Sequence, residues 1–517
     1  MPDTATVQAA KKDDPSTTGK AHDRQQKAVD VCRDVFAGTL NMRDRGGLYL
    51  PQFPKEIDTA YSSRLKQSVL FNAFKRTVNG LVGMIFRNDP QPTEEVPDII
   101  EGLMDDIDLQ GRHFTVFSRD VFTDAMIDGH ACVLVDYPSV EEGEVPTLAD
   151  ERSKGLRPYW LDVRKQQVLS FRTRQEQGRT VLTQAAIQFI TTEEDGRFGE
   201  KEVERIRVYR IMDARGEDGA DARYVSWEEW VKREKSKKIG EQYVMEKEGR
   251  LTIPEIPLVA IYVNRTAYFE SDPALLDLAL ENIKHYQVRS DQDNALHVCS
   301  IPIPIFTGLE EENELKVGSN VGVILPEGGS AVYLEPKGNA LSHGRLQIQD
   351  IEQRMAALGL AMLQRQTRSA ETAQAKMIDK AESDSALASA ARGLEDGLNE
   401  CLRLTAMWMK IDGGGEVNVN FDFMAQQMDP QMIDVLAKMV AQGYLTLQTL
   451  WELLIAGEVL PATFDPVEEL QRLEEASEAE MTVMQKLFGG KKKGGEGGPP
   501  EEGETGKEGE AGNLEGQ

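Results

Sequence analysis

Three observations predict an α+β fold spread over several domains. Apolar residues recur at helical spacing before residue 130 and again after residue 273. Between about 157 and 265 the period changes to two, the signature of half-buried strands. A short β-patterned stretch, 301–338, then divides two long helical segments. A length of 517 residues accommodates about three domains, and 40% hydrophobic against 28% charged residues leaves enough apolar surface for a sizeable core.

Residues 1–24 are polar and without apolar periodicity, as expected of a disordered arm. Leu70, Phe71, Phe74, Val78, Leu81 and Ile85 then step as one helix face, and Asp89-Pro90 closes that segment. A second helix is expected over Phe114–Asp128, with Gly129 turning the chain into a strand, Ala131–Tyr137, that Pro138 stops. The alternating region supplies strands at Tyr159–Val163, Gln167–Arg172, Thr180–Ile190, Glu204–Ile211 and Tyr224–Trp227. The basic run of Lys232, Arg233, Lys235, Lys237 and Lys238 reads as a solvated hairpin edge, or else as a contact for an acidic partner or DNA.

A helix from Pro273 to about Val298 follows, apolar through Leu276, Leu280, Ile283 and Tyr286 and then polar from Gln287 to Asn294. That polar half predicts contact with water or with other subunits. Strands are expected at Ile301–Thr307, Val321–Leu325 and Ala331–Leu334, with the acidic turn Glu310, Glu311, Glu312 and Glu314 between them. Ile348, Ile351, Met355, Leu358 and Met362 form a heptad-like seam on the next helix. After the polar stretch Gln364, Arg365, Gln366, Thr367, Arg368 and Ser369, a third helix carries Leu387, Ala391, Leu394, Leu398, Cys401, Thr405 and Trp408, and Gly413–Gly415 end it. A strand at Glu416–Phe423 precedes helices opened by Asp429-Pro430, Thr446 and Asp465-Pro466. Gly489–Gln517, with eleven glycines and seven glutamates, reads as a flexible acidic tail.

The sequence shows neither a signal peptide nor an apolar run long enough to span a bilayer, so a cytoplasmic site of synthesis and no membrane partner are expected. Cys32, Cys132, Cys299 and Cys401 are too far apart in sequence for a short-spaced zinc or dithiol motif and read as reduced, buried thiols. The formal charge of −28, from 87 acids against 59 bases, opposes tight phosphate binding over the whole surface.

No phosphate-binding loop, HExxH or nucleophile-elbow motif occurs, and the six histidines are scattered. His130 and Cys132 alternate on a predicted strand without further ligands. Asp105, Asp106 and Asp108 are the one acidic group to weigh as a metal or acid/base site, against the simpler reading as solvated charge near a helix end. The expectation is no catalytic residue, no metal and no cofactor.

The order helix, small β segment, helix, polar loop, helix resembles the stem, clip, stem, tunnel loop and wing helix of tailed-phage portal proteins. Several stretches are similar to a portal group long catalogued as a phage domain of unknown function: Phe71–Phe74 through Gly80–Arg87, Val133–Pro138, Val323–Gly329 and Ser369–Ala373. The resemblance covers about 30–480, nearly the whole expected folded region. It implies an α+β multidomain subunit: a disordered arm (1–24), a wing (25–272) with a β-rich insertion (157–265), a first stem helix (273–300), a clip (301–338), and a second stem helix (339–363). A tunnel loop (364–378), a wing helix and strand (379–428), a helical crown (429–488) and the tail (489–517) complete it. It further implies a closed homo-oligomeric ring, typically of twelve, at one capsid vertex, passing double-stranded DNA during packaging and ejection.

Implied partners are the terminase large subunit, head-completion or tail adaptor proteins, the major capsid protein and a scaffold protein. Implied locations are the virion and, during assembly, the host cytoplasm. Residues Gln364 to Ser369 would face DNA, and Glu310, Glu311, Glu312 and Glu314 would dock the motor. Two alternatives stand beside this reading: another ring-forming phage component, such as an adaptor or minor capsid protein, or a metal-dependent nuclease using the Asp105–Asp108 group.

Overall fold

The computed structural model describes residues 14–138, 155–215, 221–233, 242–299, 303–307, 328–334, 339–362, 385–421, 430–456, 459–460, 464 and 469–472. The chain mixes helix and sheet and divides into two compact units, Met1–Phe423 and Met424–Gln517.

In the first unit, helices α1 (Lys20–Ala37), α2 (Thr39–Arg45), α3 (Asp58–Gln67) and α4 (Ala73–Ile85) open the chain. Of the expected stripe, Phe74, Val78, Leu81 and Ile85 are buried on α4, while Leu70 is buried ahead of the helix and Phe71 is exposed. The helix starts later than Leu70 because the Asn72 side chain accepts the Lys75 N–H as an N-cap. A short strand β1 (Gln91–Pro92) and the turn α5 (Asp98–Glu101) lead to α6 (Phe114–Asp128), which ends at Gly129 in the left-handed region, φ 92°. A Cβ on Gly129 would sit 2.5 Å from the Asp272 carbonyl oxygen, so both dihedral and space select glycine.

Strand β2 (His130–Asp136) is buried along its whole length because it is the centre of an antiparallel three-stranded sheet. Its neighbours are β3 (Tyr159–Arg164) and β9 (Leu258–Tyr262). The outer strands of the 157–265 region therefore pair with β2 and not with the strands between them. Those intervening strands form a separate meander: β4 (Val168–Glu176), β5 (Arg179–Asp195), β6 (Gly199–Arg215), β7 (Asp221–Lys232) and β8 (Tyr243–Arg250). Strands β8 and β9 lie outside the five strands expected there: the Glu and Lys content of β8 masked its alternation, and β9 is apolar throughout with none to show.

Cys132, Leu134 and Val163 of the small sheet share an apolar cluster with Leu182, Ile187, Tyr209 and Val225 of the meander. Arg207 ties the two sheets electrostatically, donating to Asp136 at 2.7 Å and to Glu229 at 3.1 Å. Lys232 is half-exposed at the end of β7 and pairs with Glu204 at 2.5 Å, while Arg233 bonds across to the Gln242 carbonyl. These two residues thus sit at a solvated hairpin edge; Lys235, Lys237 and Lys238 lie outside the described residues.

The short strands β10 (Arg265–Ala267) and β11 (Glu270–Ser271) lead into α7 (Leu276–Cys299), β12 (Ile303–Thr307), β13 (Ser330–Leu334), α8 (Asn339–Ala361) and α9 (Ala386–Met409). Strand β14 (Val417–Asn418) returns to pair with β1. One large core joins α1, α4, α6, the small sheet, α7, α8 and α9, and Trp160 is its largest fully buried side chain. In the second unit, α10 (Pro430–Ala441) ends in a turn where Gly443 has φ 76° and the Tyr444 N–H reaches the Met439 carbonyl. There α11 (Leu447–Ala456) is capped by Thr446, and Trp451 packs edge-on against Phe464.

Candidate functional site

Helices α7 and α8 run antiparallel, joined through the hairpin of β12 and β13. Arg354 meets Glu281 at 3.3 Å, Glu352 meets His285 at 3.2 Å, and Gln292 donates to the Leu341 carbonyl at 3.0 Å, a ladder that fixes the register from one end to the other. Ile348, Ile351, Met355 and Met362 of the seam are buried and Leu358 is half-buried. The helices close tightly near Gly344, where a Cβ would fall 1.9 Å from the Gln292 amide oxygen. Strands β12 and β13 pair antiparallel over five positions, from Ile303 opposite Leu334 to Thr307 opposite Ser330.

The polar half of α7 is largely engaged within the chain. Gln287 donates to the Tyr49 carbonyl at 2.9 Å, buried Ser290 meets the Ser68 hydroxyl at 2.7 Å, and Asp291 lies 3.7 Å from Arg64. Burial nonetheless raises the Asp291 carboxyl above its usual range against the pull of Arg64. Higher on the helix, fully buried Asn282 accepts the Phe74 N–H and donates to the Phe71 carbonyl, seating α4 on α7. The expectation of water or subunit contact applies to Arg289, Asp293 and Asn294, which are exposed, and not to the half as a whole. Gln287, Ser290 and Asn282 find partners more than 200 positions away, which helical spacing cannot reveal.

The chain leaves α8 at Met362 and is next described at Ser385, where the Leu387 N–H donates to the Met362 carbonyl at 3.1 Å. Ser385 caps α9 by accepting the Ala388 N–H. Leu387, Ala391, Leu394, Leu398, Cys401 and Thr405 of the expected seam are buried and Trp408 is half-buried. This helix lies directly on β9: a Cβ at Gly393 would meet the Tyr262 oxygen at 2.2 Å, and one at Gly397 would meet Ile261 at 2.5 Å. Gln364, Arg365, Gln366, Thr367, Arg368 and Ser369 lie outside the described residues, as do Glu310, Glu311, Glu312, Glu314 and the strand expected at Val321–Leu325.

The acidic group Asp105–Asp108 is divided between arginines. Buried Asp108 accepts from the Gln110 and Arg112 backbone and from the Arg112 guanidinium at 2.6 Å; these bonds outweigh its desolvation and hold its carboxyl below the usual range. Asp106 is held by Arg157 at 2.9 Å. Among the described residues, no three of His, Cys, Asp and Glu gather as a metal-binding group.

A second polar cluster lies under α1. Arg33 clamps Asp128 through two bonds, 2.8 and 2.5 Å, and reaches Asp124 at 2.8 Å. Lys165 donates to the Asp128 and Ser271 carbonyls at 3.1 and 2.6 Å and to the Ser271 hydroxyl at 3.1 Å, and that hydroxyl shares a 2.7 Å hydrogen bond with His130. Burial pushes His130 down to about 3 and Lys165 down to about 8, and pushes Asp128 up to about 6 despite Arg33. The adjoining cavity, about 90 Å³, is bounded mainly by apolar groups, among them Val29, Val168, Leu169 and Phe269. The cluster joins four chain segments and has no room for a polymeric substrate. Cys32, Cys132 and Cys401 are buried and free, and their thiols are pushed upward by burial, to about 12 for Cys32.

Residues 274–409 match the family model described as a domain of unknown function, DUF4055. The match begins just before α7 and ends with α9, so it spans the helix pair, its hairpin and the helix on the small sheet. No curated protein matches the chain. Solved structures similar to it include the neck of a native gene transfer agent (GTA) particle computed with C12 symmetry, at 12% identity and TM-score 0.32 over 74% of this chain and 89% of that one. The neck of an empty particle computed with C6 symmetry aligns at 11% identity and TM-score 0.35, over 82% and 100%. The virion of a native GTA particle aligns at 11% and 0.34, over 79% and 96%. Among the described residues, no helix is long and apolar enough to cross a membrane.

Proposed function

We propose that the chain is a portal subunit of a tailed phage, forming a ring through which double-stranded DNA is packaged and ejected. The observation that carries this reading is the antiparallel pair α7–α8 around the β12–β13 hairpin, followed by α9 and covered by one family match over 274–409. In this reading α7 and α8 are the stem, 301–338 the clip, 364–378 the tunnel loop and 429–488 the crown. The clip would meet the terminase and later the head-completion or tail adaptor proteins. The chain's acidity favours passage over grip: a wall carrying excess negative charge repels the duplex and leaves it free to slide. An adaptor or minor capsid protein would share ring-forming surfaces but lacks a reason for the helix–hairpin–helix insertion. The bonds that occupy Asp106 and Asp108 speak against the nuclease reading, which needs ligand-ready carboxylates.

Negative-stain electron microscopy of the purified full chain tests the proposal, with rings of about twelve subunits around an open channel as the expected view. A compact, ringless dimer at every concentration would overturn it. Within such rings, Arg365 and Arg368 are expected to touch passing phosphates weakly and repeatedly. Replacing both with Ala should leave ring assembly intact while changing DNA retention in a packaging assay. Loss of rings would assign the two arginines to subunit structure instead.

A further inference from the structure

We infer that a projecting hairpin of the meander is an intersubunit hook, seated on the α2–α3 segment of a second copy of this chain. This inference rests on the ring reading and names one of the contacts that would close it. Strand β4 accompanies β5 only as far as Ile187, and β7 accompanies β6 only from Arg205 onward. Residues Gln188–Asp195 and Gly199–Glu204 therefore have no third strand beside them and form a two-stranded ladder down to the turn at Asp195 and Gly199. Eight residues of strand project the tip by about 27 Å. A two-stranded ribbon of this kind is marginal alone in water, and both its edges are open. Phe198 stands at the tip 89% exposed, and Ile190 on the shaft is 65% exposed.

The ribbon's charge indicates what it meets. Residues 188–204 hold six acids against Arg197 and Lys201, a net −4. Residues 39–67, the α2–α3 segment, hold five bases against three acids, a net +2 in a chain whose total is −28. That basic segment also presents large apolar side chains to solvent: Leu40, Leu48 and Ile57. It is a firm platform, because Arg64 is buried against Glu56 and the Arg43 guanidinium and Thr39 hydroxyl hold Ser68 and Leu70. Opposite charge around complementary apolar groups is the pattern of a steered, specific contact. Hook and platform are different surfaces, so the contact is head-to-tail, the kind that closes into a ring.

The test uses two full-length variants, each folded as wild type by circular dichroism. One carries Ile190→Asp and Phe198→Asp, and the other Leu40→Asp and Leu48→Asp. Sedimentation velocity should show rings for wild type and monomer for either variant alone. A one-to-one mixture should give a dimer, because each variant supplies the half the other lacks and no further copy can add. A hook variant that still forms wild-type rings overturns the inference and leaves the ring reading standing. Monomeric variants that fail to dimerise when mixed also overturn it, since the hook then meets something other than this platform. A wild-type chain that stays monomeric overturns the ring reading itself and the inference with it.

Discussion

Trp160→Ala lowers the stability of the first unit by roughly 3–5 kcal/mol, read as a shift in the denaturant midpoint, because nothing nearby can refill the space. Trp160 is fully buried on β3, with Phe114 and Phe117 edge-on at 5.8 and 5.9 Å. Its indole N–H donates to the Thr405 hydroxyl at 2.9 Å, and that hydroxyl donates in turn to the Cys401 carbonyl. The side chain therefore joins α6, the small sheet and α9. Trp160→Phe keeps most of the apolar volume and loses the hydrogen bond, so its cost should be smaller, about 1–2 kcal/mol. If Trp160→Ala unfolds at the wild-type midpoint, this centre is not where the three elements are held.

The second large effect belongs to Asp128. Its removal leaves buried Arg33 with Asp124 alone and takes a neighbouring counter-charge from Lys165, whose bonds to the Asp128 and Ser271 carbonyls remain, and Asp128→Ala should cost roughly 3–5 kcal/mol. The pH dependence has a definite sign. The folded carboxyl titrates near 6, above its unfolded value of 3.8, so its contribution is full below that value and is lost as pH rises through about 6. Lys165, pushed down to about 8 from 10.5, has the other sense: its contribution is full above 10.5 and is lost as pH falls through about 8. Asp128→Asn removes the first of these. Its unfolding free energy should gain on wild type as pH is raised from 4 to 7. A wild type that gains instead would mean that Arg33 outweighs burial at this carboxylate.

Much of this was readable from residue spacing, and what was not has identifiable causes. The bounds Phe114–Asp128 follow from an apolar face ended by Gly129, and the α9 seam from Leu387 onward follows from a strict four-three rhythm. Spacing could not tell which strands would pair: β3 alternates like the meander and β9 is an unbroken apolar run, yet both flank β2. It also stopped β5 short at Ile190, because Thr191–Asp195 are polar on both faces. That is what a ribbon in solvent looks like, so this projecting stretch is poorly marked by apolar pattern. At the helix pair, periodicity located the seam but not Asn282, Gln287 or Ser290. Their roles depend on partners brought near only by folding.

The single hydrogen bond from Leu387 to Met362 has a bearing on how such a chain can diversify. It makes the end of α8 and the start of α9 neighbours whatever lies between them in sequence. Positions 362 and 385 are thus held near each other by the scaffold, and the sequence between them can be treated as a cassette with fixed ends. Doubling the length of such a cassette raises its closure cost by only about 0.6 kcal/mol. Exchanging such a cassette would leave the helix pair and the small sheet unchanged.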